Sequence, residues 1–266
     1  MSGLVDAHVH LLPDRLAAAI RRFFEERMPS YCHYPYPWQA ARAAIADAGV
    51  TRCWSLPYSH KPDVAAPLNR WMAEAFHDDP MVVPGGTVHP GDDVGGVVRE
   101  ALVDLRLRIL KIHCSVGAFA PDDERLDPLW REASARGTPV VVHLGHAVDG
   151  TTAADEVRPI AAVARRWPEA RIVVAHCGAP AVEPVLALLR ATRAVHADLT
   201  PVGARLTPVD AAALAGLEDR ILFGSDAPNT GSAIGTSVAH VRAMGLGADA
   251  EAAVLGGNAT RLLAPH

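Results

Sequence analysis

Two histidines two positions apart close the first apolar run of the chain, Leu4-Val5-Asp6-Ala7-His8-Val9-His10. The run reads as a strand, and in a strand residues i and i+2 point to the same face. His8 and His10 therefore project side by side, as a chelating pair requires. Four later strand-like runs also end in potential ligands: Leu110-Lys111-Ile112-His113, Val140-Val141-Val142-His143, Ile172-Val173-Val174-Ala175-His176 and Ile221-Leu222-Phe223-Gly224-Ser225-Asp226. Polar groups repeated at the carboxyl ends of apolar strands are the sequence form of a metal site at the mouth of a parallel barrel.

The rest of the chain fits that architecture. Strands are expected at 4–10, 50–57, 81–88, 108–113, 139–144, 171–176, 194–199 and 220–225, each followed by a helical stretch. Eight such alternations imply a parallel α/β sheet, and several strands are continuously apolar, as strands buried on both faces are. Eight units close a barrel more naturally than an open sheet. The expected fold is one domain over residues 1–266, a (β/α)8 TIM barrel with C-terminal helices near 236–244 and 250–263. Its first βα loop is long: a helix near 15–27 precedes the aromatic stretch Tyr31-Cys32-His33-Tyr34-Pro35-Tyr36-Pro37-Trp38. Loops of this length are usually functional or disordered. The aromatics suit an ordered wall over the site or, equally, a packed surface or subunit contact.

Composition removes several classes of function. With 266 residues, half of them hydrophobic, the chain can bury a large core, and roughly 250 residues suffice for an eight-stranded barrel. The formal charge of −5 without a basic patch argues against nucleic acid. No apolar run reaches the roughly 20 residues of a membrane span. The first strand begins almost at once, leaving no room for a signal peptide. Cys32, Cys53, Cys114 and Cys177 show no C-x-x-C spacing, so reduced thiols in a cytoplasmic protein are expected. There is no G-x-S-x-G elbow, no phosphate loop and no G-x-G-x-x-G after the first strand. The expected partner is a small-molecule substrate.

Taken together, these motifs resemble the amidohydrolase superfamily, in the amidohydrolase-related branch that contains aminocarboxymuconate-semialdehyde decarboxylase. Asp6-Ala7-His8-Val9-His10 resembles its D-x-H-x-H strand. Leu110-Lys111-Ile112-His113 with Pro121-Asp122-Asp123, Val142-His143, His176-Cys177-Gly178 and Phe223-Gly224-Ser225-Asp226 resemble its later strand ends, and residues 257–263 its closing helix. The resemblance implies a divalent metal, most simply zinc, on His8, His10, His143 and Asp226, a mixed nitrogen and oxygen set. It gives Asp226 a double role as ligand and proton acceptor. It makes His176 a general base in one-metal members and a ligand in two-metal members, where Lys111 is carboxylated and bridges. One ion is favoured over two. A buried cation paired with Asp226 or with a substrate carboxylate is the other reading of Lys111. The resemblance also suggests a homodimer.

His113 shares the strand face of Lys111. Tyr58, His60, His89, His146, Arg205 and Asn229 lie in loops after strands, where they can read a substrate; Arg205 suits an acidic one. Two activities share such a metal site: hydrolysis of an amide, ester or lactone by metal-activated water, and nonoxidative decarboxylation of an aromatic or unsaturated acid. The first is the leading expectation and the second its alternative. A metal-free binding protein on the same barrel is a third and is disfavoured, because every ligand position is filled.

Overall fold

The computed structural model describes residues 3–143, 153–179, 182–200 and 209–264. Among the described residues nine parallel strand segments run β1 Leu4–Val9, β2 Val50–Ser55, β3 Val82–Pro84, β4 Gly86–Thr87, β5 Leu110–Ile112, β6 Pro139–Val142, β7 Arg171–Val174, β8 Val195–Asp198 and β9 Ile221–Leu222. They make eight staves, because β3 and β4 are two halves of one. Gly85 is the break. Its N–H donates to Ser55 O on β2 at 2.9 Å, while the next N–H, of Gly86, donates to Ile109 O at 2.8 Å. The chain thus changes partner within one residue. A Cβ at Gly85 would sit 2.9 Å from Ser55 O, so only glycine allows the crossover. The uninterrupted strand expected at 81–88 is corrected accordingly.

Backbone bonds also join the two ends of the sheet. Ala7 N–H donates to Phe223 O (2.8 Å), Asp226 N–H to His8 O (2.8 Å) and His10 N–H to Ala227 O (2.7 Å), with a parallel bridge between Val9 and Ala227. The fold is a TIM barrel, as the alternation of elements predicts.

Side chains divide between two cores. Val140 and Val142 of β6, and Ile172 and Val174 of β7, pack outward against the helices; Val141 and Val173 face the barrel interior. On β5, Leu110 and Ile112 belong to the outer core, so Lys111 points inward. β1 is irregular: its pairing with β2 shifts between Asp6 and Val9. Val5 and Ala7 lie in the inner core but Val9 in the outer one, so the strand turns over and aims His8 and His10 into the mouth. The helix Asn258–Leu262 stops the other end, placing Ala259, Leu262 and the following Leu263 in the inner core. The expected continuous helix at 250–263 is instead the helix Ala248–Ala252, a wider turn Ala253–Gly257 and this plug.

The four cysteines form no disulfide. Among the described residues no helix is long and apolar enough to cross a membrane.

One pair ties the helix Trp38–Asp47 to the turn that leads into the third stave. Both oxygens of Asp79 accept from Arg42, one of them at 2.8 Å, and this holds the Asp79 carboxyl below its usual range. A carboxylate whose folded pKa is depressed stabilises fully above its ordinary value of about 3.9, and that contribution is lost as pH falls through the lower folded value. Asp79→Asn is expected to cost on the order of 1 kcal/mol at pH 7 and less at pH 2. Urea melts at the two pH values check this; an equal loss at both refutes it.

Candidate metal centre

Each polar group at the mouth is placed by the end of a stave. His8 comes from β1 and His10 from the residue after it, Lys111 from β5, His113 and His143 from the residues just after β5 and β6, His176 from the turn Ala175–Gly178 that follows β7, and Asp226 from beyond β9. His176 and Asp226 both have left-handed backbone, with φ of 59° and 63°. Non-glycine residues rarely adopt that region, and each instance costs on the order of 1–2 kcal/mol. The turns swing both side chains back across the mouth rather than out to solvent.

Three donors converge. One ligand atom each from His8, His10 and Asp226 lies within 4.8 Å of the others. Asp226 Oδ1 is 2.9 Å from His10 Nε2 and 3.6 Å from His8 Nε2. The far nitrogens of both rings are already engaged. His10 Nδ1 faces the Leu56 carbonyl at 2.7 Å, and His8 Nδ1 faces the Asp198 carboxylate at 2.9 Å. Both partners are acceptors, so in the neutral rings Nδ1 carries the hydrogen and Nε2 a lone pair. Those lone pairs and a carboxylate oxygen then point at one another across short gaps. A divalent cation between them resolves that repulsion, and rings oriented this way by acceptors are typical of metal sites.

Protonation agrees. Burial, then the charge of Lys111, pushes His8 down to about 4, against the pull of Asp198. Burial drives His113 and His143 well below the usual histidine value and lowers His176. These rings are neutral at pH 7, as ligands must be. The Asp226 carboxyl is held below the usual carboxylate range in spite of its burial, and so stays ionised. Lys111, fully buried, is pushed down to about 8 by burial, opposed by Asp198 and Asp226; its Nζ lies 3.3 Å from His8 Nε2.

His143 does not join the three-donor cluster. Its Nδ1 lies 3.2 Å from His176 Nε2, and its ring stacks on His113 with centroids 3.7 Å apart. His176 Nδ1 faces Thr200 O at 3.0 Å. Tyr58 packs against both His10 and His113. His10, Tyr58, His113, His143, His176, Asp226 and Asn229 line one pocket of about 80 Å³. Asn229 Oδ1 is buried in that wall and finds no partner among the described residues. His60 is exposed, and His89 is turned to Gly117 O at 3.2 Å. Arg205 and His146 lie outside the described residues.

Several participants were not legible beforehand. Ile20 and Phe24, on the helix Asp14–Arg27, form the apolar side of the pocket. The aromatic stretch stands one layer behind them: Tyr31 stacks on Phe24, and the Tyr34 hydroxyl accepts the Ile234 N–H at 2.8 Å. Asp198 carried the same signal as Asp226, an acid at the end of an apolar strand. Gly224 is a contact requirement. A Cβ there would lie 2.0 Å from Thr200 Oγ1 and 2.9 Å from His8 Cβ. Gly224→Ala is therefore expected to displace His8, lower the melting temperature by an amount equivalent to about 1–3 kcal/mol, and weaken metal binding. Wild-type melting and metal titration in that variant would refute this.

Comparison with known proteins bears on the family and the fold. The sequence model of the amidohydrolase family matches residues 5–264. No curated protein matches. Among solved structures, the uncharacterized TIM-barrel protein Bb4693 from Bordetella bronchiseptica is 20% identical, covers 98% of each chain and has a TM-score of 0.76. The 5-carboxyvanillate decarboxylase LigW from Sphingomonas paucimobilis is 18% identical over 99% of each chain, with a TM-score of 0.70. The dihydroxybenzoic acid decarboxylase from Polaromonas sp. JS666, with bound manganese and 2-nitroresorcinol, is 12% identical, covering 99% of this chain and 97% of that one, at a TM-score of 0.73. The chain belongs to the amidohydrolase family and is an enzyme of that superfamily.

Proposed function

We propose that the enzyme removes carbon dioxide from a small aromatic or unsaturated carboxylic acid, with one divalent ion held by the three converging donors, His8, His10 and Asp226. The observation that carries this reading is the two-sided pocket. Ile20 and Phe24 offer an apolar wall, and opposite it stand the ionic donors and the unpaired Asn229 Oδ1. That pairing suits a flat apolar body bearing a carboxylate and a hydrogen-bond donor such as a hydroxyl. The structurally similar decarboxylases named above support it, one of them with manganese bound. The alternative activity of the two considered from sequence is thus the better supported.

The chain's own residues divide the work. The buried Lys111 ammonium lies beneath the donors and favours an anionic substrate. Phe24, Ile20 and Tyr58 exclude water from the organic body. Asp226, ionised beside His10, takes the proton of the substrate's hydroxyl or acid group and returns it to the carbon as the carboxylate group departs as carbon dioxide; the electrons of the broken C–C bond form the new C–H bond. His176 Nε2, 3.2 Å from His143 Nδ1, stands where it can hold that proton in transit. When bound, the ion supplies a Lewis acid that holds the carboxylate and an adjacent oxygen.

A second reading is hydrolysis of an amide, ester or lactone, and one observation favours it. Burial brings the Lys111 amine down to about 8. An amine so shifted is more readily neutral and able to take up carbon dioxide as a carbamate, the group that would bridge two ions. The test is the manganese- or zinc-loaded enzyme against hydroxybenzoates and unsaturated acids, with released carbon dioxide measured, beside a panel of lactones, esters and amides. Carbon dioxide release from the acids is expected. Turnover confined to the second panel overturns decarboxylation in favour of hydrolysis.

A further inference from the structure

We infer that Asp198 is a positioning residue that fixes the tautomer of His8 and the backbone turn at His176 through one carboxylate. The inference rests on the metal site proposed above. Asp198 ends β8 and is fully buried. Its Oδ2 lies 2.9 Å from His8 Nδ1. Its Oδ1 accepts the backbone N–H of His176 at 2.9 Å and of Thr200 at 3.1 Å. The two oxygens do different things. Oδ1 holds the left-handed turn that carries His176 into the mouth. Oδ2 accepts only, so His8 must donate through Nδ1 and present the Nε2 lone pair to the centre.

The division makes the roles separable. In Asp198→Asn the remaining oxygen can still accept from the two backbone N–H groups. Flipping the amide would set a donor against both, so the flipped form is disfavoured. The amide nitrogen then faces His8 Nδ1 as a donor. The ring must answer by accepting there, which moves its hydrogen to Nε2 and removes the lone pair that a metal needs. Asp198→Ala, by contrast, loses both functions and disturbs the turn as well.

The experiment is manganese titration of wild-type and Asp198→Asn protein beside thermal melting of the metal-free forms, with ¹⁵N-histidine NMR of the metal-free wild type. His8 is assigned by the signal lost in His8→Gln. Manganese affinity is expected to fall by about 10–100-fold in Asp198→Asn with the metal-free melting temperature nearly unchanged. The wild-type His8 hydrogen is expected on Nδ1. Unchanged affinity in Asp198→Asn, or a wild-type His8 hydrogen on Nε2, overturns the inference. A wild-type protein that binds no ion defeats the proposed metal site instead, and the NMR tautomer still decides the role of Asp198. The same measurement decides it if Asp198→Asn does not fold.

Discussion

Asp226→Asn is expected to empty the metal centre and lower turnover by on the order of 10³-fold. The substitution is almost isosteric, and asparagine tolerates the left-handed backbone that Asp226 adopts at φ 63°. The fold and the strand-end turn should therefore survive, which isolates the loss of charge. That charge matters twice. It is the anionic member of the three-donor cluster, 2.9 Å from His10 Nε2 and 3.6 Å from His8 Nε2. It is also the base to which the proposed mechanism assigns the travelling proton. Elemental analysis should find about one equivalent of metal per chain in the wild type, as a single mixed nitrogen and oxygen site implies, and almost none in the variant. Retained metal together with turnover within about twofold of wild type would remove Asp226 from both roles.

His176→Asn separates chemistry from metal binding. His176 is buried and neutral, with Nδ1 at Thr200 O and Nε2 at His143. Its backbone, at φ 59°, again suits asparagine. In a one-ion site the ring serves only the proton, so kcat should fall by about 10²–10⁴-fold with metal content unchanged. In a two-ion site the ring is a ligand, and the variant should hold half the wild-type metal, with Lys111 as the bridge. Full turnover in the variant would show that His176 has neither role.

Much of this centre follows from local rules. The period of two in a strand puts His8 beside His10 and Lys111 on the face of His113, whatever the rest of the chain does. An acid or histidine at the end of an apolar strand is a signal of the same kind, and it located His143, His176 and Asp226. It applied equally to Asp198, whose importance lies in a bond to a residue 190 positions away, and no local pattern contains such a bond. The His143–His176 contact spans 33 positions and is hidden for the same reason.

What the sequence alone determined is the parallel eight-stave order, the identity of the polar groups at one end of the barrel and their common face, because these depend on backbone periodicity and on apolar runs. What only the tertiary structure decided is which of those groups meet. The turnover of β1 between Asp6 and Val9 aims the histidine pair inward. The partner change at Gly85 splits the third stave, and the helix Asp14–Arg27 lends Ile20 and Phe24 to the pocket. Each of these depends on packing between elements far apart in the chain. The closest approaches there, such as Gly224 against His8 and Thr200, are set by excluded volume in three dimensions, which a one-dimensional pattern does not record.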